Sequence, residues 1–403
     1  ITYSLPILVG IDEAWILLWD SIESNLVVNQ VILDGSSNLA KYANFRFEIK
    51  DYPILSAIFE QGKPVILPMV KGMDDPHSWE NLQANDSALN IEESLKINED
   101  IIIGLPLAVK GDTYGVLLVM DKNTAISARE KRFEILTGIA QQTSLAIQND
   151  HLNNEMIDRE RLEREFQLAR QIQETFLPDH LPTVDGWDLG IRWLPARQVG
   201  GDFYDVFKLP YDRIGIVIAD VSDKGMPAAL YMTVARTLIR ATVREVERPA
   251  EVLEKVNSLM MMDNEGGLFV TAIYAILNTS SGELVYANAG HNLPYVMRNN
   301  GKSVEALLQG GMSLGALAEI HLTEHNITLE KGDCLLLYTD GVTDTFSESG
   351  EAFGDQRLVE TLSQIGECTS QSVIEKVQNS LHAFRGNAPP SDDVTLVSIR
   401  RVS

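Results

Sequence analysis

Apolar positions follow two rhythms along this chain. Up to about residue 150, short apolar runs alternate with polar connections: Ala14 to Asp20 (AWILLWD), Leu26 to Leu33, Pro64 to Val70 and Ile101 to Asp121. Runs of this length, bounded by turn residues, predict strands. In the last of them two apolar halves flank Lys110-Gly111-Asp112, a turn-forming step, so a hairpin is expected. Phe133, Leu136, Ile139, Ala140, Ser144 and Ile147 then recur at three- and four-residue spacing and predict a helix backing the sheet.

From Ala146 to Phe176 no Pro or Gly interrupts the chain, and charges of both signs crowd it, as in RERLERE. A continuous helix is predicted. Leu145, Leu152, Arg159, Phe166 and Gln173 fall at one heptad position and Leu162, Ala169 and Phe176 at another, a seam that is apolar only at intervals. It reads as a parallel coiled coil joining two copies of the chain; the alternative is a helix packed on its own chain. Leu177-Pro178 stops it, and LPDHLP forms an extended connector, because proline lacks an amide donor and restricts the residue before it.

Beyond the connector, strands are expected at Gly186 to Leu194, Asp202 to Leu209, Ile214 to Asp220, Phe269 to Leu277, Glu283 to Ala287, Tyr295 to Arg298, Asp333 to Tyr338 and Val394 to Arg400. Helices are expected at Pro227 to Arg244 and Pro249 to Met262. The whole is an α+β chain of two domains, 1–145 and 178–403, joined by a linker helix over 146–177.

Composition narrows the function. With 403 residues and 45% apolar content the chain holds two ordinary cores. Its 33 Lys plus Arg against 57 Asp plus Glu give a net charge of -24, which repels nucleic acid and anionic membranes. No apolar run reaches the roughly 18 residues needed to span a bilayer. The two cysteines, Cys334 in CLLLY and Cys368 in a polar segment, build neither a disulfide framework nor a thiolate metal site, which points to a reducing cytoplasm. The chain starts on ITYSLPILVG without an initiator Met, as a piece of a longer protein would.

Carboxylates at strand ends carry the chemistry. Asp220 follows IGIVIA, Asp340 follows CLLLYT, Asp392 and Asp393 precede VTLVSI, and Asp202 opens a strand behind Gly200-Gly201. Singly, each reads as a turn or cap residue. Together, if the strands are neighbours, they form a cluster of like charges that persists only with cations to compensate it. Oxygen ligands without Cys or paired His favour Mg²⁺ or Mn²⁺ over Zn²⁺. Two such ions suit phosphoryl chemistry, because they neutralise phosphate oxygens and activate a water for in-line attack. Such chemistry requires no protein nucleophile, and no Walker loop is present.

The strings ARQVGGDFYDVF, IADVSDKGMPAALYM, NAGHNLPY, GGMSLGAL, LLLYTDGVTDT and PSDDVTLV resemble, in order, the motifs of the SpoIIE/RsbU branch of the PPM metal-dependent protein serine/threonine phosphatases. ARQIQETFLPDHLP looks like the lead-in these proteins carry. The N-terminal segment resembles a GAF domain through the strand ending LLWD, the stretch GLPLAVKGDTYGVLLVMDK and the helix FEILTGIAQQTSLAIQN. Such domains act as small-molecule sensors and dimerisation units. The absence of cysteine from this half excludes a covalently attached bilin.

The resemblance implies an αββα sandwich with a two-metal site of Mn²⁺ or Mg²⁺ at one end. Asp220 would bridge both metals, with the carbonyl of Val221 on one; Asp340 and Asp392 would hold the other; Asp202 would join directly or through water, and Asp393 is a neighbouring ligand. Asp205 is read as structural. Where the eukaryotic branch has a histidine two places after its bridging aspartate this chain has Ser222, so protonation of the leaving group is unassigned. Lys224 would approach a phosphate or be solvated, Ser222 and Asp223 fit helix capping, His291 is either catalytic or structural, and Gly310 to Gly315 is either a substrate flap or an ordinary loop.

Three functions follow. The first is a phosphatase acting on a partner protein, by resemblance a phosphorylated STAS-domain anti-anti-sigma factor, under control of the N-terminal domain. The second is a catalytically inactive dimeric signalling scaffold, against which all matching positions keep their aspartate. The third, a nucleotidyl cyclase suggested by GGDFYD alone, leaves the later TDG and SDD motifs unexplained.

Overall fold

The computed structural model of the chain describes residues 9–11, 13–34, 36–69, 79–80, 91–97, 99–122, 126–178, 180–262, 266–308, 310–366 and 369–402. Cys368 and most of the acidic stretch from Pro76 to Asp100 lie outside them. Packing divides the chain into two compact units, Ile1–Arg161 and Leu162–Ser403.

In the first unit the strands are β1 (Glu13–Asp20), β2 (Asn25–Leu33), β3 (Ser36–Ser37), β4 (Arg46–Phe47), β5 (Val65–Pro68), β6 (Ile101–Val109) and β7 (Asp112–Asp121). They form one antiparallel sheet in the order β3-β2-β1-β7-β6-β5, with β4 beside β2. The β6–β7 turn is tighter than the sequence suggests. Lys110 and Gly111 alone form it, both at positive φ, as a two-residue hairpin requires.

Alternation along β1 sends Trp15 and Leu17 to one face and Ala14 and Ile16 to the other. The first face is covered by α2 (Pro53–Gln61) and the short helix α1 (Leu39–Tyr42), while Ile91 of the short helix α3 (Ile91–Ser94) packs on the second. The second is covered by Leu136 and Ala140 of α4 (Ile126–Phe176). That helix continues without a break, so the expected backing helix and linker helix are one element.

The second unit contains two antiparallel five-stranded sheets. One has the order β15-β12-β11-β10-β9, from β9 (Phe203–Leu209), β10 (Arg213–Val221), β11 (Val270–Asn278), β12 (Glu283–Ala289) and β15 (Glu324–Thr328). The other has the order β14-β13-β16-β17-β8, from β8 (Trp187–Leu194), β13 (Tyr295–Arg298), β14 (Ser303–Ala306), β16 (Cys334–Tyr338) and β17 (Val394–Arg401).

Ile214, Ile216 and Ile218 of β10 face the second sheet, while Val217, Ala219 and Val221 face α5 (Met226–Thr242) and α6 (Pro249–Met260). Burial on both faces is why IGIVIA is a continuous apolar run rather than an alternating one. A fully buried side chain such as Ile218 contributes about 1.5–3 kcal/mol. The outer face of the second sheet is covered by α7 (Gly354–Ser363) and α8 (Ser370–Arg385) through Leu358, Leu362, Val373 and Val377. The layers are therefore helix, sheet, sheet, helix.

The expected strands fall within one or two residues of the observed ones, but β14, β15, α7 and α8 were not individually foreseen. The heptad assignment fails at Gln173, which is 3% exposed and occupied by a backbone partner described below. Among the described residues no helix is long and apolar enough to cross a membrane.

Candidate metal-dependent active site

Antiparallel strand ends put the acids of both sheets at one edge of the sandwich. Asp220 lies one residue from the end of β10, opposite Thr271 of β11. Asp202 precedes β9, Asp340 follows β16 by two residues, and Asp392 and Asp393 precede β17. Asp202 comes from the first sheet yet is held by the second. Its Oδ2 accepts from Thr339 Oγ1 at 2.6 Å and from Thr395 Oγ1 at 2.7 Å.

Asp393 is committed to the backbone. Its Oδ1 accepts from the Ala196 amide at 2.7 Å and its Oδ2 from the Gly201 amide at 2.8 Å. A Cβ on Gly200 would collide with this carboxylate, and a Cβ on Gly341 with the Asp393 carbonyl, so the GGD and TDG glycines keep the cluster compact. A Cβ on Gly201 would stand 3.0 Å from the Val221 carbonyl, which leaves a small recess beside that oxygen.

The carboxylates feel one another. Burial, then the charges of Asp220 and Asp393, push Asp202 well above the usual carboxylate range. Burial, then Asp340, raises Asp220 to about 7, with Asp392 and Asp393 adding to it and a hydrogen bond with Asp202 acting against it. Burial followed by Asp392 and Asp344 raises Asp340 to about 6. Burial also raises Asp393, against its backbone donors. Such mutual repulsion is what a divalent cation relieves.

Among the described residues no three His, Cys, Asp or Glu side chains stand close enough to enclose an ion alone. The donor set, oxygen throughout and electrostatically coupled, fits Mg²⁺ or Mn²⁺.

The neighbours divide into cationic and structural. Lys224 Nζ donates to Asp392 Oδ2 at 2.7 Å and to the Ser391 carbonyl at 2.9 Å, so it reaches the cluster while its side chain stays exposed. Ser222 does not cap a helix: its Oγ accepts from the Phe269 amide at 2.8 Å. Among the described residues Asp223 accepts only from the adjacent Lys224 amide, and the N-cap of α5 is Gly225.

His291 is 2% exposed, and burial lowers its pKa to about 4, so the ring is neutral. Its Nδ1 pairs with Thr271 Oγ1 at 2.8 Å, while Nε2 makes no hydrogen bond. Asp205 accepts from Arg240 twice at 2.6 Å and from Arg236 at 3.1 Å, the structural part expected of it. The Gly310 to Gly315 stretch is pinned at its far end, where Leu314 and Val270 exchange backbone hydrogen bonds of 2.8 Å.

Sequence reasoning missed Thr339, Thr395, Gln173 and Asp344. The last stands four residues after Asp340, and that spacing within TDGVTD was the available signal.

Comparisons with known proteins bear on this arrangement. Residues 210–402 match the family model described as Stage II sporulation protein E (SpoIIE). Phosphoserine phosphatase RsbU of Bacillus subtilis is 30% identical over 241 residues, which cover 60% of this chain and 71% of RsbU. The chain belongs to the SpoIIE/RsbU phosphatase family. Protein IcfG of Synechocystis is also 30% identical, over 264 residues that cover 59% of this chain but 41% of IcfG. The SiaA-PP2C domain of Pseudomonas aeruginosa superposes with a TM-score of 0.54 at 25% identity, over 60% of this chain and 98% of that domain. The helix–sheet–sheet–helix unit thus has the PP2C fold.

Proposed function

We propose that this member of the family hydrolyses phosphoserine or phosphothreonine on a partner protein with two bound Mn²⁺ or Mg²⁺ ions. The observation that carries the reading is the coupling of Asp220, on one sheet, to Asp340 and Asp392, on the other, across a shared edge. Asp220, with the Val221 carbonyl, would hold both ions; Asp340 and Asp392 would hold one, and Asp202 would complete the cluster. Asp393, with both oxygens given to backbone amides, serves chiefly by fixing the loop that presents Asp202. When bound, the ions supply a nucleophilic water near neutral pH and compensate phosphate charge. Lys224 stands where it can bind a phosphate oxygen if metal draws Asp392 away from it.

The substrate in this reading is a phosphorylated STAS-domain protein, in keeping with the name phosphoserine phosphatase carried by RsbU. Residues 1–145 form a GAF-like regulator and 146–177 a linker that pairs two chains in a cytoplasmic homodimer. Leu145, Leu152 and Leu162, each more than 40% exposed, supply apolar surface for that pairing.

Hydrolysis of an aryl phosphate with Mn²⁺, with and without chelator, tests the chemistry in wild type and Asp220→Ala. Metal-dependent turnover lost in the variant is expected; metal-independent turnover, or activity retained by Asp220→Ala, would sink the reading. Deleting residues 1–145 tests regulation, and unchanged turnover together with unchanged oligomeric state would remove the coupling.

A further inference from the structure

A cavity lies at the end of β10 away from Asp220. Arg213 starts that strand and Asp220 stands seven residues on, roughly 23 Å away at about 3.3 Å per residue. The cavity, of about 480 Å³, opens on the helix-covered face of the first sheet, where α5 ends and the loop to α6 begins. Its floor is aromatic. Phe207 and Tyr274 stack with centroids 6.3 Å apart, and Gly215 makes room, since a Cβ there would meet the Phe207 ring at 2.5 Å.

Cations surround this floor although the chain as a whole carries -24. Arg240 lies 4.2 Å over the Phe207 ring and is held by Asp205, which makes it a fixed wall. Arg213 lowers itself onto the Pro210 carbonyl through Nε at 3.0 Å and has Glu247 at 3.7 Å. Lys208 and Arg244, both exposed on the lining, have no ion-pair partner among the described residues. Of the two acids on the lining, Glu245 is taken by Lys255 at 2.6 Å.

Helix-end complementarity accounts for a basic residue near the end of α5, but Lys208 and Arg213 lie on the β9–β10 hairpin and need another reason. Two unneutralised cations beside a recess whose accessible apolar wall is aliphatic match an anion with an apolar body.

We propose that this cavity binds a phosphorylated nucleoside, with the phosphate on Lys208, Arg213 and Arg244 and the base in the recess between Val246 and Ile276. The site is separate from the phosphatase centre and does not depend on its metals.

The test is calorimetric titration of adenosine and guanosine 5′-monophosphates, adenosine and inorganic phosphate into the chelated full chain, wild type and Lys208→Gln/Arg244→Gln. One mononucleotide is expected to bind one-to-one, and at least about a hundredfold more weakly in the double variant, the loss expected when two charge-assisted contacts are removed. Val246→Trp, which fills the recess, should abolish binding, while aryl phosphatase activity stays at the wild-type level in both variants. Binding that survives in both variants, adenosine binding as tightly as its monophosphate, or no mononucleotide binding at millimolar concentration would each overturn the proposal.

Discussion

Gln173 near the end of α4 closes a two-bond ring on Gly200: its Nε2 donates to the Gly200 carbonyl at 2.6 Å, and the Gly200 amide donates back to its Oε1 at 3.2 Å. Both groups are buried, and the next two residues of the loop are Gly201, bound to Asp393, and Asp202. Replacing Gln173 with Ala leaves a buried donor and acceptor unpaired, which costs about 1–3 kcal/mol each. A melting temperature lower by several degrees and a weaker activation by Mn²⁺ are expected. Unchanged melting and an unchanged metal titration would show that the ring does not hold the loop.

Asp202 depends on two threonines of the opposite sheet. Thr395→Val keeps the shape of the side chain but removes one donor, so a drop in turnover corresponding to about 1–3 kcal/mol is expected. Thr395→Ser restores the hydroxyl and should restore most of the activity. Equal activity in Val and Ser variants would mean that Thr395 only fills space.

Protons and metal compete for the cluster. In the metal-free protein Asp220 titrates near 7 and Asp340 near 6, both above their unfolded value of 3.8. The folded chain then holds more protons than the unfolded chain between those values, and stability falls as pH rises through 6 to 7. Calorimetry in chelator should show a lower melting temperature at about pH 8 than at about pH 5.5, and metal should abolish the difference. Asp220→Asn should melt higher than wild type in chelator on the alkaline side, while losing turnover. A chelated wild type that grows more stable with rising pH would refute the mutual repulsion.

Much of this was legible in the chain because the signals are local. An aspartate directly after an apolar strand marks a strand end, and IGIVIA shows by its unbroken apolarity that both faces of β10 are covered. The roles of Thr339 and Thr395 were not legible, since they arise only when β16 and β17 meet Asp202 from 137 and 193 residues away. Gln173 was misread because a heptad pattern records spacing but not which partner a polar residue finds. α8 carried a readable signal, in Val373, Ile374, Val377 and Leu381 at helical spacing behind a Thr369–Ser372 capping box. The short strands β14 and β15 have exposed, polar positions that resemble loop.

His291 offers the opposite pH signature. Burial lowers its pKa to about 4, with the carbonyls of Tyr338 and Thr271 pulling the other way, while an unfolded histidine titrates near 6.5. The unfolded chain therefore binds the extra proton first as pH falls, so the stability contributed above 6.5 is lost progressively toward 4. The loss is at most about 3 kcal/mol. His291→Gln can still pair with Thr271 Oγ1 but does not titrate, so its deficit relative to wild type should shrink as pH falls from about 7 to about 5. Urea unfolding of both proteins at each pH, compared as differences, removes the shared carboxylate contribution. Parallel stability curves would place a proton on His291 in the folded state and contradict its neutral, buried position against Thr271, the residue opposite Asp220.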